Sequence, residues 1–154
     1  MSGRSVEHAT FVVERKYEAP PERAFAAWAD PEAKARWFVD SEVNLELDFR
    51  VGGRERHSGT APDGNAYSYE ALYQDIVPGE RIVYTYEMHL EKTRISVSLA
   101  TVEFRPVGHN GTRLVFTEQG AFLDGHEFPA RRAEGMGSLL DALGKELQGD
   151  TPGA

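Results

Sequence analysis

Cysteine is absent from this chain of 154 residues. The chain therefore forms no disulfide, presents no thiolate nucleophile and builds no cysteine-ligated zinc site. Long apolar runs are also missing, since the longest spans only residues 24–29, far short of the roughly 20 residues of a membrane-spanning helix. The polar start MSGRSVEHAT has no signal-peptide core. We therefore expect a soluble cytoplasmic protein with no membrane insertion.

Positive charge is in the minority, with 17 Lys and Arg against 25 Asp and Glu, a net charge of −8. Nucleic acids and anionic membranes attract clustered positive charge, so we expect no nucleic-acid partner. The sequence also lacks a G-x-S-x-G hydrolase elbow, a P-loop and a dinucleotide fingerprint. These absences predict a protein that uses no cofactor.

The five histidines show no local metal-binding spacing such as H-x-x-x-H, and we expect no metal site. His109 follows a strand pattern and precedes Asn110-Gly111, which places it in an exposed turn. His57 and His89 are candidate general bases, because histidine titrates near neutral pH.

Apolar residues make up 40% and charged residues 27% of the chain, proportions typical of a single globular domain. We place this domain at residues 10–148 and expect flexible termini at residues 1–9 and 149–154.

The first elements are a strand and two short helices. Residues 10–18 alternate between apolar and polar side chains, as a half-buried strand does. Pro20-Pro21 then begins a short helix that ends near Ala29, and Asp30-Pro31 begins a second helix that ends near Trp37-Phe38.

The middle of the chain alternates almost throughout and is divided by turn signals such as Asp63-Gly64, Pro78-Gly79 and Asn110-Gly111. Strands are predicted at about 42–50, 54–60, 66–77, 81–89, 94–105 and 112–119. Short turns between strands favour an antiparallel meander with one solvated and one covered face.

The last helix, predicted at about 127–148, is expected to pack on the covered face of the sheet. Its apolar side chains recur on one face, and they are Met136, Leu139, Leu140, Leu143 and Leu147. The helix also contains Gly135, Gly137 and Gly144, each of which weakens a helix by roughly 1 kcal/mol. Two interpretations are open: the glycines permit close packing, or they leave space over a cavity or let the helix bend there. Together these elements predict an α+β fold.

The element order and several motifs resemble a known superfamily. The motifs are YEAPPERAFAAWADPEAKARWF, DFRVGGRER, APDG, YQDIVPGERIVYTYE, TVEFRPVGHNGTRLVFTEQG and EGMGSLLDAL. In this order they resemble the START-like superfamily, also called SRPBCC, and within it the group typed by the C-terminal domain of the activator of heat shock protein 90 ATPase, which includes polyketide-cyclase-like proteins. The resemblance implies a helix-grip fold, a curved antiparallel sheet of about seven strands wrapped around a long C-terminal helix.

The resemblance also implies a cavity between sheet and helix that takes a hydrophobic small molecule in many members. This sequence departs from the pattern at several positions. Glu55 and His57 stand where relatives often carry apolar residues, Met136 where they often have Trp, and Glu118 at or near a common His. The changes at Glu55, His57 and Glu118 suggest a more polar site.

Two charged residues are predicted on the covered side. Arg132 lies on the apolar face of the last helix, and Glu118 shares a strand face with Leu114 and Phe116. Because a buried charge must be paired or neutralised, we expect Arg132 and Glu118 to lie near one another or near the cavity. The alternative is that Arg132 extends past the sheet edge into water.

The predicted ligand-binding residues combine apolar walls with a few polar groups. They are Trp37, Phe38, His57, Tyr69, Tyr84, Tyr86, Phe116, Glu118, Arg132, Met136 and Leu140. Trp37 and Phe38 are expected at the cavity mouth. Ordinary cross-strand packing remains the alternative for the tyrosines, since the pattern does not decide which face of strands 66–77 and 81–89 looks inward.

Three functions remain open. The first is binding of a hydrophobic or aromatic small molecule. The second is a cyclase or hydratase activity on the same scaffold, with Glu118 or His57 as acid or base. The third is stimulation of a heat shock protein 90 ATPase. An unpaired edge strand is also compatible with a homodimer.

Overall fold

The computed structural model describes residues 4–39, 44–60 and 64–149. Its elements in chain order are β1 (Val6–Tyr17), α1 (Pro21–Ala29), α2 (Pro31–Phe38), β2 (Leu45–Leu47), β3 (Arg54–Thr60), β4 (Ala66–Val77), β5 (Arg81–Leu90), β6 (Thr93–Val107), β7 (Gly111–Leu123) and α3 (Pro129–Gly149). None of the helices in these ranges combines the length and apolar character that crossing a bilayer requires.

The strands form one antiparallel sheet in the order β1-β7-β6-β5-β4-β3-β2. Strands β2 to β7 follow one another as the predicted meander, and β1 pairs with β7 at the far edge. The long helix α3 packs on one face of this sheet. The predicted α+β helix-grip architecture is therefore confirmed.

The two short helices begin where the prolines and Asp30 predict. Pro21 and Pro31 occupy the first helical positions, and the Asp30 side chain accepts a hydrogen bond from the backbone N–H of Ala33 at 3.2 Å. This cap satisfies one of the free amides at the start of α2.

Strands β1, β2 and β7 differ most in extent from the prediction, and β7 ends at Leu123 rather than near residue 119. Strand β1 begins at Val6, within the segment expected to be a loose terminus, because β7 continues to Leu123 and pairs with it. The exposed side chains at this end of β1 leave no alternating pattern to read. The strand predicted at 42–50 is reduced to Leu45–Leu47. Residues 40–43 and Asp63 of the predicted Asp63-Gly64 turn lie outside the described ranges.

The covered face of the sheet is aromatic. Tyr69, Tyr73, Tyr84 and Tyr86 are all at least 93% buried, and they belong to the core that also contains Leu140 and Leu143 of α3. The sequence pattern did not decide which face of β4 and β5 looks inward. The inward face is the one that carries these four tyrosines, here called the tyrosine face.

The glycines of α3 have two different surroundings. A Cβ atom added to Gly144 would lie 3.3 Å from the Tyr17 ring, and one added to Gly137 would lie 3.0 Å from the Arg15 guanidinium. A Cβ atom added to Gly135 would meet nothing within 4 Å. Close packing explains Gly144 and Gly137, whereas Gly135 borders open space.

Candidate functional site

A cavity of about 220 Å³ lies between the tyrosine face of the sheet and the first half of α3. Its walls are mainly aromatic and aliphatic. The lining residues are Phe38, His57, Tyr69, Tyr84, Tyr86, Met88, Phe116, Glu127, Arg131, Arg132, Gly135, Met136 and Leu139. Concave, largely apolar sites with a few polar groups are the usual form of small-molecule sites.

One wall is a continuous set of stacked rings. His57 on β3 stacks on Tyr69 of β4 with ring centres 4.5 Å apart and planes at 15°, because the two residues are paired across the strands. Tyr69 in turn stacks on Tyr86 at 4.9 Å. Phe38, the last residue of α2, meets the His57 and Tyr69 rings edge-on at 5.6 Å. This wall offers flat apolar surface to a ligand.

His57 is an unusual polar group in this wall. Neither of its ring nitrogens has a hydrogen-bond partner among the described residues, and both nitrogens are shielded from solvent. Desolvation by burial, opposed in part by the charge of Glu55, lowers the pKa of His57 to about 4. The imidazole is therefore neutral at neutral pH.

Arg132 forms a second polar region at the end of the cavity. Its Nε and Nη2 atoms donate to the two carboxylate oxygens of Glu127 at 2.7 and 2.8 Å, and Nη2 also donates to Ser96 Oγ at 2.9 Å. Its Nη1 atom donates to Tyr86 Oη at 2.9 Å and to Glu118 Oε2 at 3.4 Å. These five contacts equal the five N–H donors of a guanidinium group.

Glu118 lies behind Tyr86 and is only 1% exposed. Its carboxylate accepts hydrogen bonds from the Tyr86 hydroxyl at 2.7 Å and from the Ser98 hydroxyl at 2.7 Å. Burial raises the pKa of Glu118, and the charge of Arg132 opposes this shift. The predicted proximity of Arg132 and Glu118 is confirmed. The alternative, in which Arg132 reaches into bulk water, is wrong because its side chain is only 12% exposed.

A third polar cluster was not predicted from the sequence. Lys34 of α2 and Glu55 of β3 form a completely buried ion pair, in which Lys34 Nζ donates to Glu55 Oε1 at 2.5 Å. The Tyr73 hydroxyl donates to the same oxygen at 2.5 Å. The Lys34 ammonium also lies 4.3 Å from the centre of the Phe38 ring. Burial lowers the pKa of Lys34, and Glu55 opposes this shift.

Eight of the predicted binding residues line the cavity, and three do not. Trp37 is buried elsewhere, because its indole N–H donates to the Ala27 carbonyl at 2.9 Å and its ring packs edge-on against Trp28. The expectation that Trp37 stands at the cavity mouth is therefore wrong. Leu140 is fully buried in the core and does not line the cavity. Glu118 does not line it either, but accepts a hydrogen bond from the lining residue Tyr86.

The predicted set omitted Lys34 and five lining residues, which are Met88, Glu127, Arg131, Gly135 and Leu139. A signal existed for Lys34, which shares the buried face of α2 with Ala33, Trp37 and Phe38, just as Arg132 shares the apolar face of α3. For Glu127 the five-residue spacing to Arg132 gave no signal, because Glu127 lies in the turn before α3 begins.

The polar groups around the cavity decide what the site can hold. Within residues 4–39, 44–60 and 64–149, no group of three His, Asp or Glu side chains is placed to hold a metal ion. The cavity instead combines aromatic surface, one neutral imidazole, the paired charges of Arg132 and Glu127, and the solvent-exposed charge of Arg131.

Comparison with known proteins agrees with this fold. The family model described as Activator of Hsp90 ATPase homolog 1-like protein matches residues 18–148. No curated protein matches the chain. Among solved structures, the chain is similar to an uncharacterized protein from Rhizobium leguminosarum, with 48% identity, a TM-score of 0.90, and coverage of 96% of this chain and 99% of that one.

Two further structures show the same relationship. The Mll3558 protein from Rhizobium loti is 45% identical over 92% of this chain and 99% of that chain, with a TM-score of 0.87. Protein CV1439 from Chromobacterium violaceum is 26% identical over 88% and 95%, with a TM-score of 0.72. With the family model covering residues 18–148, the chain belongs to the Activator of Hsp90 ATPase homolog 1-like family of the START-like superfamily.

Proposed function

We propose that this protein binds a hydrophobic, aromatic small molecule in the cavity between the sheet and α3. The observation that carries the proposal is the space of about 220 Å³ with an aromatic wall. An engineered apolar cavity of about 150 Å³ is enough to bind benzene. The space here therefore suits one aromatic ring with substituents, or a fused pair of rings.

The ring geometry supports an aromatic ligand in particular. His57, Tyr69 and Tyr86 already stack on one another, and Phe38 presents its edge to the first two. A further ring entering this set can adopt the same offset-stacked and edge-on contacts, which contribute about 0.5–1.5 kcal/mol beyond buried area.

Binding is better supported than acid–base catalysis by Glu118. The Glu118 carboxylate is 1% exposed and is not part of the cavity lining. A general acid or base must come within hydrogen-bond reach of the reacting group, and the Glu118 carboxylate is instead engaged by the Tyr86 and Ser98 hydroxyls.

The test is calorimetric titration with 2-naphthol, a neutral fused-ring probe. We expect binding to the wild-type protein and loss of at least about tenfold in affinity in Leu139→Trp, because the larger side chain fills the lined space. Leu139→Met conserves volume and is the matched control, expected to bind as the wild type does. Equal binding by wild type and Leu139→Trp, with both proteins folded, would place the ligand outside the cavity.

A further inference from the structure

We infer that the cavity selects uncharged aromatic ligands over their carboxylate counterparts, because the buried charged groups beside it are paired within the protein. The inference rests on the proposed function and adds a ligand class to it: phenols, aryl alcohols and aryl ketones in place of aromatic acids.

Arg132 is the cation that the carboxylate of an aromatic acid would otherwise bind, but its donors are already paired. Arg132 binds Glu127 through two parallel hydrogen bonds of 2.7 and 2.8 Å. Its remaining donors meet Ser96, Tyr86 and Glu118. A carboxylate that enters the cavity finds no free N–H on this guanidinium, although bidentate arginine pairing is the usual mode of carboxylate recognition.

Lys34, the second buried cation, is also inaccessible to a ligand. Lys34 is 0% exposed and is not part of the cavity lining, and its ammonium group lies 4.3 Å from the ring centre of the lining residue Phe38. Glu55 and Tyr73 occupy the contacts around its ammonium group. Lys34 therefore supplies no charge that a ligand can reach.

Two other basic residues, His57 and Arg131, line the cavity. His57 is neutral at neutral pH, because burial lowers its pKa to about 4. Arg131 lines the cavity but is exposed to solvent, so its charge is screened by water and salt. A neutral hydroxyl or carbonyl group is thus better matched to the interior than a carboxylate.

Energetics make the discrimination measurable. A buried carboxylate without a partner loses its hydration and gains no compensating ion pair, which costs several kcal/mol in proteins. Part of this cost is avoided if the carboxylate stays near the mouth. We therefore expect 2-naphthoate to bind at least about tenfold more weakly than 2-naphthol at pH 7.

The experiment compares these two probes by calorimetry on the full chain at pH 7. Glu127→Ala frees two N–H donors of Arg132, so we expect it to bind 2-naphthoate at least about tenfold better than the wild type does. Glu134→Ala removes one negative charge from the exposed face of α3, outside the cavity lining, and is the matched control. It should leave the affinities of both probes as in the wild type.

The outcomes separate the two proposals. If wild type binds 2-naphthoate as well as 2-naphthol, or if Glu127→Ala is folded and gains no naphthoate affinity, the selection for neutral ligands is wrong while the cavity remains a binding site. If neither probe binds wild type, Glu127→Ala or the control, the proposed function fails with it. The wild-type comparison is decisive even if Glu127→Ala does not fold, and Glu127→Gln then replaces it.

Discussion

At the scale of single residues, His57 combines a ring packed among aromatics with two nitrogens that lack partners among the described residues. A buried polar group without a hydrogen bond costs about 1–3 kcal/mol. The protein therefore retains His57 at a cost in stability, which is typical of residues kept for function rather than for folding.

His57→Phe tests this cost directly. The variant keeps an aromatic ring in the stack and removes both unpaired nitrogens, so we expect the free energy of unfolding at pH 7 to rise by about 1 kcal/mol. Urea denaturation gives the value. A loss of stability would show that the nitrogens are satisfied in solution.

The same variant also tests how the stability of the protein depends on pH. The pKa of His57 is about 4 in the folded protein against an ordinary 6.5, so the unfolded chain binds more protons between these values. Stability due to this group is therefore present above pH 6.5 and is lost as pH falls towards 4, by about 2–3 kcal/mol.

Comparison with variants isolates the contribution of His57. Glu118 titrates with the opposite effect, since its raised pKa favours the folded state at low pH, but this effect is common to all of the proteins. We expect His57→Phe to lose about 2–3 kcal/mol less than the wild type between pH 6.5 and 4. His109→Gln, which changes an exposed turn residue, should behave as the wild type does. If the free energy of unfolding depends on pH in the same way in the wild type and in His57→Phe, the account is contradicted.

Single residues were predictable from sequence when they broke an apolar pattern. Arg132 stood out on a long apolar face, and its partner Glu118 followed from the requirement that buried charges be paired. Lys34 broke the face of α2 in the same way, but α2 has only eight residues, and a face this short gives a weak pattern.

At the scale of elements, the Lys34–Glu55 pair joins α2 to β3 and so holds Phe38 at the cavity wall. Removing one member of such a pair leaves an uncompensated buried charge. We expect Lys34→Met to lower the free energy of unfolding by about 3–5 kcal/mol, measured by urea denaturation.

The double variant is the control for this interpretation. Lys34→Met/Glu55→Gln removes both charges and keeps an acceptor for the Tyr73 hydroxyl, so it should regain about 2 kcal/mol over Lys34→Met. If the double variant is no more stable than Lys34→Met, the loss comes from packing rather than from the unpaired carboxylate.

The glycines of α3 give a matched pair of substitutions. Gly135→Ala should stabilise the protein by about 0.5–1 kcal/mol, because the added methyl group meets nothing within 4 Å. Gly144→Ala should gain less or lose stability, because its methyl group would press on the Tyr17 ring, which is fixed by a 2.7 Å hydrogen bond to the Leu140 carbonyl. Thermal unfolding of both variants measures the difference. Equal gains would show that Tyr17 yields without cost.

At the scale of the whole molecule, alternation, turn residues and helix caps predicted the architecture well, because each is a local consequence of strand and helix geometry. The extension of β1 to Val6 escaped prediction, since it depends on pairing with the distant end of β7. The same limit applied to the cavity. Which tyrosine face looked inward, and which side Trp37 packed on, are set by contacts between elements that no local pattern encodes.

The most direct measurement of the central claim is ¹³C-methyl NMR of the methionines during titration with 2-naphthol. Met88 and Met136 both line the cavity, and substitution of each by Leu assigns its signal. An aromatic ligand in the cavity shifts both methyl signals through its ring current, in step with the calorimetric binding curve. Calorimetric binding that leaves both signals unmoved would contradict the account.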